Sequence, residues 1–114
     1  MSNKYKGTIV EESLNDNRVI NNFKIIGFRI SSDDNPEDRW HLYTVSVTPE
    51  DMEQLSKNIK PKWYMHFWRN REVVVIFSGQ KFEFNYDDKS SWIPAVEYGL
   101  SIGISKEQLD FLID

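Results

Sequence analysis

The chain has 114 residues, 39% hydrophobic and 14% aromatic, a composition that argues against disorder and fits one folded domain over residues 1–114. It has no cysteine, which excludes a disulfide scaffold, thiolate metal sites and a cysteine nucleophile, and which fits a reducing cytoplasm. The net charge of −4 argues against general nucleic-acid binding, which needs a basic field.

Residues 1–14 hold no long apolar stretch, so neither a signal peptide nor an anchor is expected there. Residues 5–11 (YKGTIVE) read as a first strand, and the polar residues 12–22 as a loop. Residues 23–31 (FKIIGFRIS) read as a second strand, where Gly27 suggests a bulge or a close backbone approach. The acidic Asn-Pro segment 32–38 has turn chemistry. It lacks the glycine and the distal glutamate of a calcium loop.

Residues 39–47 (RWHLYTVSV) read as a third strand. Thr48 can cap a helix with Pro49 at its first position and Glu50 and Asp51 at the positive end of its dipole. Met52, Leu55 and Ile59 form its apolar stripe, and Pro61 bars its continuation. Lys57, Lys60 and Lys62 read as a solvated face. Residues 63–68, 72–77 and 81–85 read as three strands joined by short turns, an antiparallel meander. The longest apolar run, residues 73–77, is far too short to cross a bilayer, so no membrane partner is expected. Ser90 or Ser91 can cap a second helix running to about Ile102, with Gly103 at its end, and Gly99 and Gly103 would ease packing. Residues 105–108 match a capping box, after which Leu109, Leu112 and Ile113 would seal a short last helix.

This order predicts an α+β fold: a mainly antiparallel sheet of about five or six strands, with two or three helices packed on one face.

The stretches YKGTIVEESL (residues 5–14) and YGLSIGISKEQLDF (residues 98–111) resemble the two ends of a family of small uncharacterised prokaryotic proteins. A Trp-x-Leu-x-Thr-Val strand at residues 40–45 and the Trp63-Tyr64 pair are similar too. The resemblance implies a single prokaryotic cytosolic domain and no assigned activity. Where the family carries an acidic residue two places after the Trp-Tyr pair, this chain has His66.

Strand side chains alternate between faces. Trp63, Met65 and Phe67 therefore share one face and read as core, leaving Tyr64, His66 and Trp68 on the other. If His41 and Tyr43 join that second face, an aromatic surface with two imidazoles results. It could stack a small planar, nucleotide-like ligand or take a protein partner. The plainer alternative makes these rings core and cross-strand pairs, and an intermediate one buries them in a homodimer. A small hydrolase or transferase using His41 and His66 as acid and base is a further alternative, and it needs both imidazoles in one pocket. No nucleophile motif, metal spacing or cofactor fingerprint accompanies them, so no catalytic residue, metal or cofactor is assigned. Glu11 and Glu12, read as strand neighbours, would point to opposite faces and share no site.

Overall fold

A computed structural model describes residues 4–111 and 113. The strands are β1 (Tyr5–Val10), β2 (Lys24–Ile30), β3 (His41–Val47), β4 (Tyr64–Arg69), β5 (Glu72–Phe77) and β6 (Gln80–Asn85). They form one sheet in the order β2-β3-β1-β4-β5-β6, and each neighbouring pair is antiparallel. Two helices accompany it, α1 (Pro49–Asn58) and α2 (Ile93–Ser101). The α+β class and the antiparallel sheet are therefore as expected.

The helices do not share one face. Val74 and Ile76 of β5 pack with Ile9, Val45, Phe67 and the α1 residues Met52 and Leu55. Val73, Val75 and Phe77 pack on the other side with Trp92, Phe111 and Ala95 of α2. The reason is the uninterrupted apolar run of β5: alternation sends its side chains both ways, so both faces need cover.

Local chemistry accounts for most element ends. Thr48 Oγ1 accepts from the Asp51 N–H at 3.2 Å, and an Asp51 carboxylate oxygen accepts from the Thr48 N–H at 2.9 Å. That reciprocal pair satisfies two donors that the first helical turn leaves open. The register of β2 against β3 shifts between Ile25 and Gly27, so a bulge forms where the glycine suggested one. Gly103, with φ of 95°, follows α2 in the left-handed region.

Three local expectations are revised. Residues 12–22 are not plain loop: Glu11–Ser13 and Asn17–Asn22 form 3-10 turns, the second capped by Asp16. Asn58 pins this segment, accepting from the Asp16 N–H and donating to the Asp16 carbonyl, each at 2.8 Å. Ahead of α2, Asp88 rather than a serine caps a 3-10 turn, Lys89–Trp92, and Pro94 lies in the first turn of α2. The last helix is only a 3-10 turn, Lys106–Gln108, which Ser105 does not cap by side chain. Leu109 is buried as expected and Ile113 half-buried; Leu112 lies outside the described residues.

Gly7 decides how the middle of the sheet packs. It pairs with Val45 on one side and Phe67 on the other. A Cβ there would stand 2.3 Å from the Phe67 ring and 2.6 Å from the His66 carbonyl oxygen. The missing side chain lets the Phe67 ring lie across β1, where it is fully buried.

Candidate functional site

Directly paired residues share a face, so the register settles where the five candidate residues point. Gly7, Val45 and Phe67 lie on the α1 side, and counting by twos from Val45 puts Tyr43 and His41 there as well. Tyr64, His66 and Trp68 lie on the opposite side, with Tyr64 and Trp68 packed against the α2 core. The expected five-residue surface is thus two separate groups. The physical cause is β1, which sits between β3 and β4 and fixes the phase of both.

On the α1 side, His41 and Tyr43 are held by two glutamates. His41 Nδ1 donates to a Glu12 carboxylate oxygen at 2.6 Å, and the His41 N–H donates to the other at 2.9 Å. The Tyr43 hydroxyl donates to Glu11 at 2.8 Å. Glu11 and Glu12 do converge, contrary to the strand reading, because they belong to a 3-10 turn in which neighbours are not opposed. The Glu12 hydrogen bond raises the His41 pKa. Partial burial pulls the Glu12 carboxyl upward, but its hydrogen bonds from His41 outweigh that, and the net shift is downward. The Glu11 contact raises the Tyr43 phenol. A carboxylate only accepts, so Nδ1 carries a proton, and among the described residues Nε2 has no hydrogen-bond partner. No hydroxyl nucleophile hydrogen-bonds His41 among the described residues. Phe28 packs on Tyr43 at 4.9 Å and on His41 at 6.1 Å.

On the other side the aromatic row is partly roofed. Phe111, fully buried, meets Tyr64 edge-on at 5.6 Å and His66 at 6.0 Å. The Tyr64 hydroxyl donates to the Gln108 carbonyl, which ties the chain end onto β4. Burial pushes the Tyr64 phenol up to about 12, with Asp110 adding to the shift. Trp68 faces His66 at 5.5 Å and packs against the α2-side core. For much of this row the plainer alternative of core and cross-strand pairs holds.

One part remains open. The β1–β4 ladder consists of Lys6–Trp68 and Gly7–Phe67, whereas β1 pairs with β3 along its whole length. Toward Thr8 and Val10 this seam of the sheet ends, and a groove of about 340 Å³ lies there. Trp40 and Trp63 both line it, with ring centroids 5.1 Å apart at 65°. Tyr64, His66, Lys62, Glu107 and Asp110 stand among the other lining residues. Trp40 is 41% exposed, which is high for an indole that also packs on another. A wider hollow of about 670 Å³ beside Pro61, Ser78 and Gly103 contains one aromatic ring, Tyr98, and no imidazole or carboxylate.

Strand parity put Trp63 with the α1-side core, where it does pack, but gave no sign that Trp40 and Trp63 meet at the groove, because each precedes its strand. Trp63 follows Lys62, whose φ of 68° turns the chain, so Trp63 serves both the α1-side core and the groove.

Among the described residues, no group of three or more His, Asp or Glu is placed to hold a metal ion, and no helix is long and apolar enough to cross a membrane. No family model, curated protein or solved structure gives a significant match to the chain.

Proposed function

We propose that this chain is a non-enzymatic cytoplasmic binding module of the prokaryotic family its two ends resemble. It holds a small planar ligand in the groove between Trp40, Trp63 and His66. The observation that carries this reading is the edge-to-face pair of indoles beside an open groove. Indole faces stack planar rings, and a half-exposed tryptophan pair offers that surface without unfolding anything. The groove's volume, about 340 Å³, suits a single ring system.

The lining charges narrow the ligand. Lys62 shares the lining with two acids, Glu107 and Asp110, so a phosphate has little to gain. A nucleobase or nucleoside fits better than a nucleotide, with Thr8, His66 and the acids as hydrogen-bond partners. Joint acid–base work by His41 and His66 has lost its support, since the sheet lies between them.

The test is a tryptophan-fluorescence titration and thermal-shift screen with nucleobases and nucleosides. A binder raises the melting temperature, increasingly as its concentration exceeds the dissociation constant, and changes the emission. Trp40→Ala abolishes both effects while leaving the fold intact. If no compound moves either readout, or if Trp40→Ala binds as wild type does, the reading fails.

A further inference from the structure

The strand β2 lies at the edge of the sheet, and among the described residues nothing pairs with its outer side. It is unusually apolar for an edge: Ile25, Ile26, Phe28 and Ile30 are 46%, 55%, 53% and 45% exposed. Free edges of this kind template pairing with another chain, and proteins normally blunt them with proline or charge. This strand contains no proline; Lys24 stands at its start, and Arg29, between Phe28 and Ile30, is the one charge inside the apolar stretch. The bulge leaves Ile26 the most exposed of the four.

We infer that a second copy of this chain pairs with β2, antiparallel, about a two-fold axis at Phe28. The argument is self-complementarity of charge and shape. Read from its start, the segment runs from basic Lys24, through an apolar centre that also carries Arg29, to acidic Asp33 and Asp34. Antiparallel pairing lays the basic start of one copy beside the acidic end of the other, at both ends at once. The chain as a whole carries −4, so most contacts between copies are repulsive, and this strand is a place where attraction is built in.

The same logic selects the register. Centred on Phe28, the pairing sets Phe28 against Phe28 and Ile26 against Ile30, with Lys24 opposite Ser32 and next to Asp33. Centred on Gly27, it would set Lys24 against Ile30 and Ile25 against Arg29, placing charge against apolar surface. Phe28 also packs on Tyr43, 4.9 Å away. The product is one continuous antiparallel sheet through both copies, which removes both free β2 edges.

Sedimentation equilibrium over a wide concentration range tests the association, with the full chain. The wild type is expected to show a monomer–dimer equilibrium. Ile26→Lys, at an exposed position, should weaken it at least roughly tenfold with little change in melting temperature. Lys24→Glu should weaken it too, and adding Asp33→Lys should restore it. Because the chain has no cysteine, Phe28→Cys reports the register: mild oxidation should cross-link two copies, whereas Arg29→Cys, opposite Gly27, should not. A wild type that stays monomeric overturns the proposal, including one that instead captures an added acidic peptide. So does a dimer that survives Ile26→Lys, or one in which Phe28→Cys fails to cross-link.

Discussion

His41 and His66 lie on opposite faces of one sheet. Gly7 pairs with Val45 and with Phe67, and stepping by twos puts His41 in phase with Phe67 and His66 out of phase. The two imidazoles therefore have different neighbours: carboxylates for His41, aromatic rings including Phe111 for His66.

The first prediction concerns His41. Its pKa is raised above 6.5 by Glu12, and that of Glu12 is lowered below 4.5. A raised histidine contributes stability below its unfolded value and loses it as pH climbs through its folded value. A lowered glutamate contributes above its unfolded value and loses that as pH falls through its folded value. The pair is thus fully effective between 4.5 and 6.5. In an NMR titration, Glu12→Gln should return the His41 midpoint toward 6.5 and leave the His66 resonances unmoved. The stability gap to wild type should be widest in that window and should narrow at higher pH.

Gly7→Ala should be costly. Its Cβ would meet the Phe67 ring at 2.3 Å and a backbone oxygen at 2.6 Å, and a backbone oxygen cannot step aside. Overpacking of this kind costs about 1–3 kcal/mol, and a double contact belongs at or above the top of that range. Urea unfolding measures it. Adding Phe67→Leu should recover only part of the loss, because the His66 carbonyl is still there.

Phe111 should behave as a keystone despite lying near the chain end. It is fully buried, touches Phe84, Trp92, Tyr64 and His66, and adopts a φ of 44°, strained for a bulky residue. Phe111→Ala should cost about 3–5 kcal/mol in urea unfolding. It should also increase acrylamide quenching of tryptophan emission, because the roof over β4 is removed. Unchanged quenching would show that the roof is not what covers that face.

Thr48→Ala should lower stability by about 1 kcal/mol, the usual value of an N-cap. The readout is the urea midpoint with an unchanged slope. Asp51→Asn should give part of the same loss, because the reciprocal bond to the Thr48 N–H weakens when the carboxylate loses its charge.

Several elements could be read directly from the chain. Thr48, Pro49 and Asp51 mark the start of α1 by local hydrogen bonding alone. Gly27 marks the bulge, and the short connections after Arg69 and Phe77 mark the hairpins. The split of Met65 and Phe67 from Tyr64 and His66 follows from strand alternation. The site was less legible. Trp40 and Trp63 stand outside their strands, where parity no longer predicts direction, and Glu11 and Glu12 fell in a 3-10 turn that reads like a strand end.

What the sequence determined by itself was the inventory: an α+β chain, its strands and helices, and which side chains share a face within each strand. What only the tertiary structure decided was how those faces combine. Alternation and capping act over a few residues, so they are written locally. Whether His41 faces the same way as His66 depends on the order and register of β3, β1 and β4, segments far apart in the chain. That phase is set where the Phe67 ring crosses Gly7, and the groove at Trp40 and Trp63 exists because the β1–β4 ladder stops just beyond it.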